Sequence, residues 1–114
     1  MKRFPESMTG KSGAVVAGGL VYAVAFDPGP AAGIAEQTAN TLRYLDELLE
    51  KAGSGKDRLI QATVYLSDIA DKARMDAVWC DWIGGEENWP QRACVGVDLE
   101  PGYLIEIVVV AAVV

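Results

Sequence analysis

The feature that most constrains the fold is the C-terminal segment from Ile105 to Val114, which is apolar at every position except Glu106. Its β-branched residues favour a strand, and the turn-forming Pro101 and Gly102 precede it. The segment is far shorter than the roughly 18 to 20 residues that a membrane helix needs. The pattern therefore predicts a buried strand that is entered from a hairpin.

A second strand is predicted from Pro90 to Val97, and we expect it to form the other half of that hairpin. It carries Arg92, as the last strand carries Glu106. Burying a charge among apolar residues costs several kcal/mol unless a partner compensates, so both residues are candidates for a functional site. If Glu106 stands opposite Cys94, it shares a face of the sheet with Arg92, whereas a turn one residue longer or shorter reverses this.

Composition excludes several classes of function. The chain has 114 residues, enough for one domain, and a formal net charge of −6, which argues against a nucleic-acid surface. It has no histidine, so a Ser-His-Asp triad, a Cys-His pair and imidazole metal ligands are all excluded. Cys80 and Cys94 are too few and too far apart for a zinc site, and we expect reduced thiols and a cytoplasmic protein. We expect neither a metal nor a cofactor.

The remaining pattern predicts two hairpin strands, a helix, a strand, a second helix and the two closing strands. Apolar residues recur at helical spacing over Ala32–Ala52 and again over the segment from Ile69 or Asp71 to Ile83, while Arg58–Leu66 alternates as a strand does. This order indicates an α+β fold with a mixed sheet and both helices on one face. Because the other face also carries valines, we expect an obligate homo-oligomer to cover it.

Several segments resemble the reactive intermediate deaminase family, also called the RidA or YjgF family, and most of all its YoaB-type branch. The resemblance covers about two thirds of the chain, in the family's order. It rests on five segments: residues 36–42, 45–53, 62–68 (Ala-Thr-Val-Tyr-Leu-Ser-Asp), 75–79, and 90–95 (Pro-Gln-Arg-Ala-Cys-Val) with 105–107.

The resemblance implies one domain over residues 1–114 with a fold similar to chorismate mutase of the Bacillus type. That fold is a six-stranded mixed sheet with two helices on one face, assembled as a homotrimer with clefts between subunits. The implied activity is hydrolysis of 2-imino and enamine acids to 2-keto acids and ammonia. Its implied site residues are Arg92 as carboxylate clamp, the backbone of Ala93 and Cys94, Glu106 as the water-orienting catalytic group, and Asp76 and Tyr22 as further lining residues.

Three departures from the family pattern leave alternatives open. Ala23-Val24-Ala25 replaces a Thr-Ser-Gly segment, an early tyrosine is absent, and Asp76 stands where the family has asparagine. The chain could therefore be a non-catalytic trimer that binds small carboxylates or regulates another protein. Arg92 could also be an ion-pair partner of Glu106 or of another acidic residue. An endoribonuclease is the least favoured reading, since the chain is acidic and lacks histidine.

Overall fold

The computed structural model describes residues 1–114 as one six-stranded mixed sheet with two long helices. The strand order is β1-β2-β3-β6-β4-β5, and only the β4–β5 pair is parallel. Neither helix is long and apolar enough to cross a membrane. The elements are β1 Lys2–Pro5, β2 Ser12–Ala17, β3 Leu20–Ala25, α1 Ile34–Lys51, β4 Leu59–Leu66, α2 Lys72–Ile83, β5 Gln91–Gly96 and β6 Ile105–Ala112.

The predicted N-terminal hairpin is confirmed. Strands β2 and β3 pair antiparallel, and Ala17 stands opposite Leu20. The two residues between them, Gly18 and Gly19, have φ angles of 58° and 78°. A two-residue loop with both φ values positive matches the twist of the flanking strands, and glycine adopts it without steric cost.

The predicted C-terminal hairpin is wrong, because β4 lies between β5 and β6. The connection over residues 97–104 crosses the end of β4 instead of turning tightly. Both ends of this connection are bonded there: the Val97 N–H donates to the Leu66 carbonyl at 2.9 Å, and the Ser67 N–H donates to the Leu104 carbonyl at 3.0 Å. Strand β4 is thus central in this half of the sheet and forms backbone hydrogen bonds with β5 on one side and with β6 on the other.

The helices cover one face of the sheet, and this covered face forms the core. Strand side chains alternate between the two faces, and the core members are fully or nearly buried. From β3, β4 and β6 they are Val21, Ala23, Ala25, Ala62, Val64, Leu66, Ile105, Ile107, Val109 and Ala111. Helix α1 packs on them with its buried leucines, Leu42, Leu45, Leu48 and Leu49.

The other face, called the open face below, has no layer over it in the single chain. It is nonetheless apolar near its centre, and Tyr22 there is 47% exposed. Its central residues, taken from β2, β3, β4 and β6, are Val15, Leu20, Tyr22, Val24, Tyr65, Val108 and Val110.

Gln37 fixes the start of α1 to the connection that enters β6. Its side chain is fully buried and all its hydrogen-bonding groups are used. The amide nitrogen donates to the carbonyls of Ala31 and Gly102, at 2.7 and 3.1 Å. The amide oxygen accepts from the backbone N–H groups of Leu104 and Ile105. One side chain thus positions the segment that leads to Glu106.

Candidate functional site

Arg92 lies at the exposed edge of the sheet, on the covered face. It is the second residue of the edge strand β5 and stands beside the buried Ala62. Its side chain is 19% exposed and packs against α2. The guanidinium carbon lies 5.2 Å from the centre of the Trp79 ring, and Nη1 lies 3.9 Å from the Met75 sulfur. A cation–π contact of this kind restricts the position of the guanidinium.

Asp76 is the acidic partner of Arg92. The Arg92 Nη2 donates to Asp76 Oδ1 at 2.6 Å, and Lys72 Nζ donates to Asp76 Oδ2 at 2.7 Å. Burial of the Asp76 carboxyl raises its pKa, but the hydrogen bonds and charges of Lys72 and Arg92 outweigh burial, so the pKa lies below its ordinary value. The carboxylate is therefore ionised, and the guanidinium keeps further N–H donors that have no partner in the chain.

Asp76→Asn is expected to lower the free energy of unfolding by about 1 kcal/mol at pH 7, because it weakens a partly buried charge-assisted pair. A lowered folded-state pKa contributes stability above the unfolded carboxyl pKa, and that stability is lost as pH falls through the folded value. The difference between wild type and variant in urea unfolding should therefore vanish in acid, below the ordinary range of aspartate. A difference that stays constant from neutral to acid pH would contradict this account.

The edge strand also presents a backbone amide beside Arg92. Strand β5 has a neighbour on one side only, so alternate residues direct their N–H groups to β4 and to the free edge. Val97 donates to β4, and the alternation therefore directs Ala93 and Val95 to β4 and Cys94 to the free edge. Of the two predicted backbone contacts, Cys94 thus has the accessible N–H, whereas the N–H of Ala93 belongs to the β4 ladder.

The Cys94 thiol is not arranged as a nucleophile. Partial burial raises its pKa despite the opposing influence of the Arg92 and Lys72 charges, so the thiol stays protonated near neutral pH. Cys80 is exposed, and both cysteines are free thiols. The contribution of Cys94 to this edge is therefore its backbone.

Glu106 lies on the opposite face of the sheet from Arg92. It stands beside Tyr65 on the open face and lines a cleft of about 70 Å³ with Met8, Lys11, Phe26, Glu100 and Tyr103. Because β4 separates β6 from β5, two strand spacings, about 10 Å, also separate Glu106 from the β5 edge. The condition under which the two charges would share a face, a hairpin with Glu106 opposite Cys94, is not met, because β4 lies between the two strands.

The structure therefore brings together Arg92, Asp76 and the Cys94 amide, and places Glu106 elsewhere. Tyr22 lies on the open face beside Val110 and belongs to neither group. Sequence reasoning missed Lys72 as a partner of Asp76, although the four-residue spacing of opposite charges on a helix was a usable signal. No group of three or more His, Cys, Asp or Glu side chains is arranged to hold a metal ion.

Comparisons with known proteins agree with this architecture. A family model described as Endoribonuclease L-PSP matches residues 1–113. RutC family protein YoaB of Escherichia coli strain K12 is 44% identical over 79 residues, which are 68% of each chain. The crystal structure of NMB1025 from Neisseria meningitidis, of the YjgF protein family, superposes with a TM-score of 0.92 at 33% identity and covers 99% of this chain and 94% of that one.

A Yersinia pestis protein of the Rid family, YyfA, superposes with a TM-score of 0.87 at 28% identity and covers 99% of this chain and 95% of that one. The six-stranded mixed sheet with two helices on one face defines a protein of the chorismate-mutase-like class. Within that class, the chain belongs to the YjgF family, also named Rid and L-PSP.

Proposed function

We propose that this protein hydrolyses small 2-imino and enamine acids to 2-keto acids and ammonia. The observation that carries the proposal is that Arg92, with guanidinium N–H donors left over, lies in the free edge strand β5, where strand alternation directs the Cys94 N–H outward. A guanidinium with unused N–H donors can grip a carboxylate through two parallel hydrogen bonds. The family resemblance described above implies the same ligand class.

The proposed chemistry needs a positioned water and no cofactor. Arg92 holds the substrate carboxylate, which fixes the adjacent imine carbon in place. Glu106 accepts a proton from water as the oxygen attacks that carbon, and the proton passes to the imine nitrogen. The resulting carbinolamine expels ammonia and leaves the 2-keto acid, so water is the only co-reactant.

Such a site requires more than one chain, because Arg92 and Glu106 face opposite sides of the sheet. We therefore propose a homotrimer in which Arg92 of one subunit and Glu106 of the next line one cleft. Burial of the apolar open face would supply the driving force for assembly. A cytoplasmic location is proposed as well, since free Cys80 and Cys94 suit a reducing compartment.

Mixed trimers of two inactive variants test the shared site. Arg92→Ala and Glu106→Gln chains, each inactive alone, are refolded together in equal amounts. A cleft that takes Arg92 from one chain and Glu106 from its neighbour is intact in about one quarter of random pairings, so about a quarter of wild-type activity should return. The readout is ammonia release from imines made in situ by an amino-acid oxidase.

Sedimentation equilibrium should give three times the chain mass of 12.2 kDa for wild type and for the mixture. Mixtures of Arg92→Ala chains with chains that carry both Arg92→Ala and Glu106→Gln are the matched control, and they should not regain activity because no chain supplies Arg92. No recovery in well-formed mixed trimers would exclude a cleft shared in this way.

A second candidate is a trimer that binds small carboxylates without turning them over. The Asp76 carboxylate favours it, because it partly neutralises Arg92, and so does the absence of hydroxyls at Ala23-Val24-Ala25. Binding of 2-oxobutyrate that depends on Arg92, with no ammonia release from imines, would support this candidate over the first.

The family model's description names an endoribonuclease, which we do not propose. The net charge is −6 and there is no histidine, so both phosphate binding and the usual acid-base group are lacking. Intact RNA after incubation with nuclease-free protein is the expected result.

A further inference from the structure

We infer that Asp76 makes the Arg92 site select zwitterions over plain carboxylate anions, so that it favours an iminium acid substrate over its keto acid product. The ligand carboxylate binds Arg92, and the cationic nitrogen of the ligand lies against Asp76. The inference rests on the proposed function in one respect: it takes Arg92 as the partner of the ligand carboxylate.

The geometry gives Asp76 the capacity to accept a further donor. A carboxylate has about four lone-pair positions, and Arg92 and Lys72 each use one here, at 2.6 and 2.7 Å. The Asp76 side chain remains 29% exposed. Lys72 is 48% exposed on a flexible stem, so it can move aside at little cost when a ligand cation arrives.

Charge balance decides which ligand the pair prefers. Arg92 and Asp76 together carry no net charge, and a second carboxylate on Arg92 comes within about 4 to 6 Å of the Asp76 carboxylate, where like charges repel. A ligand that also brings a positive nitrogen offsets this repulsion by pairing with Asp76. A keto acid has no such group. Arg92 beside a neutral amide at position 76 would lack the discrimination.

A purely structural Asp76 would behave differently. It also joins α2 to β5 through Arg92, and loss of that link would loosen Arg92 and weaken every carboxylate ligand alike. The ratio of two dissociation constants separates the roles, because a general loosening cancels in the ratio whereas a charge preference does not.

The test uses two acids with the same carbon chain, 2-aminobutyrate as the zwitterion and 2-oxobutyrate as the anion. Both are titrated into wild type, Asp76→Asn and Lys72→Met at neutral pH, with dissociation constants measured by calorimetry or NMR. For Asp76→Asn, the ratio of the 2-oxobutyrate to the 2-aminobutyrate constant should fall about tenfold. For Lys72→Met, which leaves Asp76 less neutralised, the same ratio should rise.

Asp71→Asn is the matched control, because Asp71 carries the same charge immediately before α2 but contacts Arg74 instead of Arg92. Its ratio should equal that of wild type. Binding that depends on Arg92 but has the same ratio in wild type, Asp76→Asn and Lys72→Met overturns the inference alone. Binding of both acids that survives Arg92→Ala overturns the proposed carboxylate site, and the inference with it.

Discussion

Replacement of Arg92 by alanine is expected to reduce kcat/KM for imine hydrolysis at least about a hundredfold, equivalent to roughly 2.7 kcal/mol of lost transition-state stabilisation. The variant loses the charge-assisted hydrogen bonds that hold the substrate carboxylate. It also leaves the Asp76 carboxylate without its partner at 2.6 Å and paired with Lys72 alone, so a ligand carboxylate meets less positive charge at this edge. Ammonia release from imines generated by an amino-acid oxidase is the measurement.

Two further variants make this result specific. Arg92→Lys keeps the charge but not the planar fork, and it should recover only part of the activity. Arg74→Ala removes a highly exposed arginine of α2 whose ion pair is with Asp71, at 4.0 Å, and it should leave the rate unchanged. Equal rates for wild type and for a folded Arg92→Ala protein would remove Arg92 from the mechanism.

The largest expected effect on stability comes from Gln37→Leu, which should lower the free energy of unfolding by about 3 kcal/mol or more. The substitution leaves two carbonyls and two backbone N–H groups without partners, among them those of Gly102, Leu104 and Ile105. Of these groups, the Ile105 N–H is buried and the others are partly buried, so water replaces the lost hydrogen bonds only in part. Urea unfolding at one fixed chain concentration is the measurement, since oligomer stability depends on concentration.

Gln61→Leu is the matched control for this substitution. Gln61 is exposed and makes one side-chain hydrogen bond, to Gln91 at 2.8 Å, so its loss should cost well below 1 kcal/mol. Equal losses at the two positions would mean that the Gln37 hydrogen bonds do not hold the approach to β6. The connection before Glu106 would then need another anchor.

Local pattern was enough to predict most individual elements. The periods of α1 and β4 and the paired glycines before β3 all reflect contacts between residues near one another in sequence. Gly53 and Gly84 follow the two helices with positive φ values of 83° and 78°, and glycine at such positions is a local signal of a helix end. The β-branched run of β6 likewise predicted a buried strand, and its alternate residues are fully or nearly buried.

The partner of Arg92 could not be found in the same way. The sequence left Glu106 and other acidic residues open as ion-pair partners of Arg92, and the structure shows that the partner is Asp76 on α2. The position of β4 between β5 and β6 depends on the free energy of strand pairing over the whole sheet. The residue pattern within a single segment does not indicate it. The face that Glu106 occupies follows from the same long-range choice.

The sequence by itself determined the helices, the strands, the two charges within apolar strands and the family, because these depend on residue types and their local spacing. Only the tertiary structure decided that Arg92 faces α2, that Asp76 neutralises it, and that Glu106 lies on the open face. The order of the strands determines which strands and helices lie next to each residue. That order depends on packing between segments that are far apart in the chain. The sequence left open whether Arg92 and Glu106 share a face, and the structure places them on opposite faces with β4 between their strands.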